Sequence, residues 1–221
     1  MTKQEVRARI EEIGIIPALR VQSAEDALFA AEAVSSGGIP MVEVTMTVPG
    51  ALDVIKKLVQ SEQGVIVGAG TVLDLGWAQR CLDAGAMFLT SPGFDPKIVA
   101  FAAHEGVLSI PGALTPTEVM AAAKAGADFI KIYPCGQVGG PGYIRSLKSP
   151  FPELRFIASG GVTQTTASDY IWAGASAVGI GSDLIHRDAI KRRQRGWIVE
   201  LARRYTTMIN QARLEIKEAL A

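Results

Sequence analysis

A lysine stands in the middle of an apolar run in ADFIKIYPCG, residues 127–136, where Phe129, Ile130, Ile132 and Tyr133 surround Lys131. Read as a strand, the run is apolar on both faces, the pattern of a buried strand in a parallel sheet. Carrying an ammonium group inward there is costly unless it is paired. In the bland reading Lys131 lies near the strand end and reaches solvent or a carboxylate. In the chemical reading, burial favours the neutral amine, and a neutral amine attacks a ketone to form an imine. A second charge has a similar setting. In MVEVTM, residues 41–46, period-two alternation puts Met41, Glu43 and Thr45 on one strand face and Val42, Val44 and Met46 on the other.

Together the two side chains suit carbon–carbon bond cleavage. An iminium draws electrons from a bond two atoms away, which breaks to leave an enamine. Glu43 would serve as general base on the substrate hydroxyl, then as general acid towards the enamine carbon. That is class I aldolase chemistry, with Lys131 and Glu43 as catalytic residues and with neither metal nor cofactor required. No HxH, HExxH or CxxC spacing occurs, and His104 and His186 are far apart, so no metal site is expected. The alternatives are a structural Glu43–Lys131 ion pair, which gains little over apolar packing, and a barrel that binds a phosphate ligand without catalysis.

Glycines supply a second signal. GAG at 68–70, SGG at 159–161 and GIGS at 179–182 each end a strand and lead towards a helix. Backbone N–H groups at helix N-termini donate to phosphate, and in α/β barrels that site often follows strands seven and eight. Ser159, Gly160, Gly161, Gly181 and Ser182 are the candidates.

The elements that must position these residues alternate along the chain. Strand candidates are GIIPALR, MVEVTM, GVIVGAG, AMFLTSPG, GVLSIPG, DFIKIYP, RFIASGG and AVGIGS. Helical patterns fall between them at SAEDALFAAEAVSSGG, PGALDVIKKLVQSE, DLGWAQRCLDAGA, DPKIVAFAAHEG, TPTEVMAAAKAGA and TQTTASDYIWAGA, with Ser23, Asp74, Asp95, Thr115 and Thr163 as N-caps. Repeated strand–helix units without a linker predict a single (β/α)8 TIM barrel over residues 1–221; a doubly wound open sheet is the alternative. An N-terminal helix from about Gln4 to Ile13 could plug the lower mouth. The tail from Trp197, with Leu201, Tyr205 and Met208 at near-helical spacing, reads as the last barrel helix. In such a barrel, chemistry lies at the C-terminal strand ends.

Bulk properties exclude several partners. The 221 residues are 48% hydrophobic, and 22 basic residues balance 22 acidic ones. Zero net charge gives no footprint for nucleic acid, and the basic run around LIHRDAIKRRQRGW reads as a solvated helix face. No apolar run approaches the ~18 residues of a membrane span, and the charged N-terminus is unlike a signal peptide. Cys81 and Cys135 have no framework spacing. A soluble, cytoplasmic protein is expected.

Taken together and in order, GIIPALR, VEVTMTVPGA, VGAGTV, SPGFD, IPGALTPTE, FIKIYP, ASGGV and VGIGSDL resemble the 2-keto-3-deoxy-6-phosphogluconate (KDPG) aldolase family, which also contains 4-hydroxy-2-oxoglutarate (KHG) aldolases. The resemblance, from about Ile15 to Leu184, implies a homotrimeric barrel that cleaves a sugar-acid phosphate to pyruvate and glyceraldehyde 3-phosphate. It implies that Lys131 is the Schiff-base lysine, Glu43 the acid–base group and Thr71 a substrate-positioning residue. Pro92 and Tyr133 would line the pyruvate pocket, and Ser159, Gly160, Gly161, Gly181 and Ser182 would hold phosphate. Two departures stand out. Many members hold the keto-acid carboxylate with an arginine where this chain has Thr47; a subgroup uses an arginine closing the first strand, which Arg20 supplies. The segment PCGQVGGPG also differs from the usual Pro-X-Glu pattern, on the side that sets aldehyde specificity.

Overall fold

The computed structural model describes residues 1–61 and 64–220; Glu62, where the third candidate helix was expected to end, lies outside them. The strands are β1 (Ile15–Leu19), β2 (Met41–Thr45), β3 (Ile66–Gly70), β4 (Phe88–Thr90), β5 (Leu108–Ile110), β6 (Gly112–Ala113), β7 (Ile130–Ile132), β8 (Phe156–Ser159) and β9 (Ala177–Ile180). Helix α1 (Lys3–Ile13) precedes them. Between and after them run α2 (Ala24–Ser36), α3 (Ala51–Gln60), α4 (Leu75–Asp83), α5 (Pro96–His104), α6 (Pro116–Lys124), α7 (Pro141–Lys148), α8 (Ala167–Trp172), α9 (Arg187–Lys191) and α10 (Arg195–Leu220).

Every strand pairing is parallel, in the order β5-β4-β3-β2-β1-β9-β8-β7-β6. The two ends of that order, β5 and β6, are halves of one expected strand, GVLSIPG. Pro111 separates them because it has no N–H for the ladder, yet its carbonyl accepts from Lys131 N at 2.8 Å. The sheet therefore closes into a barrel, and the doubly wound alternative is excluded.

Alternation sorts the side chains into two cores. Ile16, Met41, Ile66, Phe88, Leu108, Ile110, Phe129, Ile157 and Ala177 fill the lumen, joined by Val6 and Ile10 of α1. Val42, Val44, Val67, Leu89, Ile130, Ile132, Phe156, Ala158 and Val178 face the helices instead. Helix α1 is thus the expected plug. Thr2 and Glu5 cap it reciprocally, Lys3 pairs with Asp128 at 2.9 Å, and Arg213 of α10 donates to the carbonyls of Glu11 and Glu12.

Local expectations hold at four caps and fail at one. Ser23, Asp74, Asp95 and Thr115 each accept a backbone N–H of the following helix. Thr163 does not cap α8, because its hydroxyl is engaged by Thr165 at 3.0 Å and Thr166 at 3.1 Å; the helix starts after Thr166. Helix α7 was not among the expected helices, although Pro141 opens it at a favourable position. The basic run is solvent-exposed, as expected, and two of its arginines also make surface ion pairs. Arg193, at φ 51°, separates α9 from α10 and reaches Glu25 at 2.7 Å and Asp26 at 3.0 Å on α2, while Arg195 reaches Glu32 at 3.4 Å. His186 is exposed, as expected, and caps α9. Leu201 and Tyr205 of the predicted α10 stripe are buried, but Trp197 is 45% exposed.

Candidate active site

Lys131 and Glu43 enter the lumen from strands on different sides of the barrel. Lys131 alternates with Phe129 and Tyr133; Glu43 alternates with Met41 and Thr45. Each is 4% exposed, and Lys131 Nζ donates to Glu43 Oε2 at 3.5 Å. Two opposite charges so placed offset part of each other's desolvation, whereas either one alone would be strongly unfavourable. Glycine makes room for the carboxylate: a Cβ on Gly70 would lie 2.1 Å from Glu43 Oε1. Oε1 itself meets no protein partner among the described residues.

Thr71 and Pro92 lie on the rim above β3 and β4. Thr71 adopts φ 60°, a left-handed conformation that costs a β-branched residue about 1–3 kcal/mol. Bonds on both sides hold the turn: Val72 N donates to Thr90 O at 3.1 Å, and the Ser91 hydroxyl donates to Val72 O at 2.7 Å. Pro92 is exposed, and its carbonyl lies over the α-carbon of Gly112, where a Cβ would come within 2.2 Å. Gly112 in turn pairs with Lys131. The rim is therefore tied to both charged residues through glycines.

On the other side of the mouth lies a cavity of about 930 Å³. Arg20, Tyr133, Ser159, Gly160, Gly161, Gly181 and Ser182 line it, but Glu43, Lys131, Thr71 and Pro92 do not. Tyr133 joins the two regions: Lys131 Nζ is 5.8 Å from its ring centroid and the Arg20 guanidinium carbon 6.0 Å. Arg20 is exposed and makes no ion pair among the described residues. Its strand end is anchored by the Thr45 hydroxyl, which donates to Leu19 O at 2.8 Å and is 2.8 Å from Thr47 Oγ1.

The two glycine loops are built to present N–H groups. Gly160 and Gly161 have φ of 83° and 85°, a succession that points backbone amides into a concavity suited to anions. Among the described residues, no protein acceptor takes the N–H of Gly160, Gly161 or Ser182. Ser159 is placed differently from its loop neighbours. It is buried, and its Oγ would lie 2.8 Å from a Cβ on Gly179, so it faces the lumen beside the lysine strand.

Sequence reasoning missed Asp183, which ties these loops together. Its Oδ2 accepts Gln164 N at 3.2 Å and the Tyr205 hydroxyl from α10. Burial and that carboxylate push the Tyr205 phenol well above its usual range, so it remains a donor. The acidic charge is thereby engaged by protein donors. No local pattern signals a contact between a loop and a helix 22 positions on. Thr90, on the lumen face of β4, was also missed. Among the described residues no group of three or more His, Cys, Asp or Glu is placed to hold a metal, and no helix is long and apolar enough to cross a membrane.

A parallel barrel with an amine and a carboxylate converging below its C-terminal mouth is the frame of a carbon–carbon lyase, a class I aldolase. The comparisons agree. The pattern described as KDPG and KHG aldolase matches residues 6–201. A 2-dehydro-3-deoxy-phosphogluconate aldolase of Treponema pallidum is 35% identical over 162 residues, 73% of this chain and 77% of the relative. The crystal structure of a KDPG aldolase from Legionella pneumophila, with pyruvate captured as a covalent carbinolamine, superposes with a TM-score of 0.83 at 29% identity, covering 89% of this chain and 96% of that one. That of the Zymomonas mobilis ZM4 enzyme with 3-phosphoglycerate has the same TM-score and identity, covering 93% and 97%. This chain belongs to the KDPG and KHG aldolase family.

Proposed function

We propose that the protein cleaves 2-keto-3-deoxy-6-phosphogluconate to pyruvate and glyceraldehyde 3-phosphate through an imine at Lys131. The observation that carries this reading is the buried Lys131–Glu43 pair at 3.5 Å. One proton passed from the ammonium to the carboxylate yields a neutral amine and a neutral acid without an outside base. The amine attacks the C2 carbonyl to form the carbinolamine, and Glu43 returns its proton to the carbinolamine hydroxyl, which leaves as water to give the iminium. Glu43, again a carboxylate, takes the C4 hydroxyl proton as the C3–C4 bond breaks and glyceraldehyde 3-phosphate departs. It then returns a proton to C3 of the enamine, and water hydrolyses the pyruvate imine.

Position supports the binding roles in this reading. Arg20 receives the keto-acid carboxylate with its planar fork, Tyr133 and Pro92 line the pyruvate end, and Thr71 orients the substrate. The free N–H groups of Gly160, Gly161 and Ser182, with Ser159 and Gly181 shaping the loops, receive the phosphate. These donors favour KDPG or its phosphogalactonate counterpart over unphosphorylated 4-hydroxy-2-oxoglutarate, which leaves them unfilled. The same features support cleavage over binding alone, since a binder needs the loops but not the lysine–carboxylate pair. In this reading residues 1–221 act as one catalytic unit, in the cytoplasm and in the Entner–Doudoroff route. The unit is a homotrimer, consistent with exposed Leu73 and Leu75 beside the mouth. Sedimentation at equilibrium checks the assembly.

Borohydride added with pyruvate should inactivate the protein and leave one reduced pyruvate on Lys131, seen by peptide mass spectrometry. Labelling at another lysine, or none, sinks the mechanism. Cleavage assays on the three substrates then rank them.

A further inference from the structure

Two buried side-chain polar atoms meet no protein partner among the described residues: Glu43 Oε1 and Thr90 Oγ1. They share a corner of the lumen. Thr90 is 1% exposed and alternates with Phe88, a lumen residue. The β3–β4 register, Ala69 opposite Leu89, sets Thr90 beside Gly70. Gly70 is the residue whose α-carbon lies against Glu43 Oε1. The carboxylate thus turns Oε2 towards Lys131 and Oε1 towards the β3–β4 side, where the neighbouring hydroxyl also lacks a partner.

Unmet buried polar atoms are costly and few in native proteins. A β-branched side chain suits this strand, but valine would supply the branch without the hydroxyl. The hydroxyl is the part that needs a role. The two atoms do not bond directly, and buried polar atoms that flank the same glycine can be joined by a bridging water.

We propose that Thr90 is a positioning residue for Glu43, its hydroxyl sharing one bound water with Oε1. The water gives the ionised carboxylate a second hydrogen bond and holds Oε2 towards Lys131. Lys131, from β7, is the charged group in contact with Glu43; Tyr133 and Arg20 lie towards the neighbouring cavity, 6.0 Å apart, and Tyr133 is 5.8 Å from Lys131 Nζ. Strand β3 presents only Gly68 and Gly70 to the lumen at this level, and β5 and β6 present Ile110 and Gly112. None of these supplies the missing donor.

The inference rests on Glu43 as the acid–base group, so the experiment separates the two. Turnover, KM, the pH–rate profile and melting temperature are measured for Thr90→Val, Thr90→Ser and Glu43→Gln. Thr90→Val should lower kcat about fivefold, the size of one lost hydrogen bond, with little change in KM. It should also move the acid limb of the kcat profile to higher pH, because a bond to the ionised carboxylate is lost. Thr90→Ser should restore both. An unchanged profile and kcat in Thr90→Val, with a higher melting temperature, would make the hydroxyl a packing defect and end the proposal. Equal kcat loss in Thr90→Ser and Thr90→Val would assign the effect to packing and end it too. If Glu43→Gln retains turnover, the acid–base reading falls and takes this one with it; if Glu43→Gln fails while Thr90→Val behaves as the parent, only the role of Thr90 is lost.

Discussion

The barrel mouth has two unlike halves. Beneath one side, Lys131 and Glu43 are enclosed and committed to each other. Across Tyr133, the loops after β8 and β9 are open and leave N–H groups unengaged. An enclosed ion pair holds its geometry without a ligand but gains little stability for the fold. Open donors cost nothing while water serves them, and they pull only when an anion arrives. In the proposed reading, chemistry and recognition are thus built on opposite principles within one lumen.

Changes to the enclosed half should abolish or cripple turnover on every substrate. Lys131→Met should leave no detectable cleavage and a lower melting temperature, since Glu43 is stranded. Adding Glu43→Leu should recover stability and no activity. If activity persists in either variant, the pair is structural. Glu43→Gln should cut kcat by ~10²-fold or more, the usual worth of a positioned acid–base group; near-parent turnover demotes Glu43 to an ion-pair partner.

Changes to the open half should be selective. Ser182→Asp should weaken kcat/KM for a phosphorylated substrate by ~10-fold or more through lost and opposed charged hydrogen bonds. An unphosphorylated substrate should be far less affected, and equal losses would mean that the loops only shape the fold. Arg20→Lys should raise KM for pyruvate in the condensation direction about tenfold, because an ammonium cannot match the two-pronged contact. A defect confined to the aldehyde removes Arg20 from the keto-acid end.

The smallest effect concerns the cysteines. Burial pushes the Cys81 thiol up to about 12 and that of Cys135 to about 11. In the native state both should resist alkylation at pH 8 and react only after unfolding; rapid native labelling contradicts this. Because the folded values are raised above the reference value of 9.0, this contribution to stability is full below about pH 9 and is lost as pH rises towards 11 to 12.

Much of the placement in the enclosed half was legible because alternation is a local code. Met41, Glu43 and Thr45 had to share a face, and so did Phe129, Lys131 and Tyr133; a barrel then turns both faces inward. The glycine pairs were legible for the same reason. What escaped depends on contacts distant in sequence. Thr90 in FLT reads as an ordinary strand threonine until Gly70 and Glu43 are placed beside it. Asp183 gains meaning only from Tyr205 and Gln164. At Pro111 the reading was half right, since the missing N–H breaks the ladder where the carbonyl still closes it. Thr163 failed as a cap because neighbouring hydroxyls competed for it, which a cap rule does not weigh.

The contact of Arg213 with α1 also bears on how the chain is made. Its guanidinium bonds to Glu12 O and Glu11 O span 201 and 202 positions, and such long loops close late. Synthesis runs from α1 to α10, so the plug emerges before most of the barrel it seals and waits for the helix that clasps it. Until β9 is made, Val6 and Ile10 have no completed lumen to enter. A nascent chain halted before Arg213 leaves the ribosome with its lower mouth unlatched, at the stage where exposed apolar surface draws chaperones.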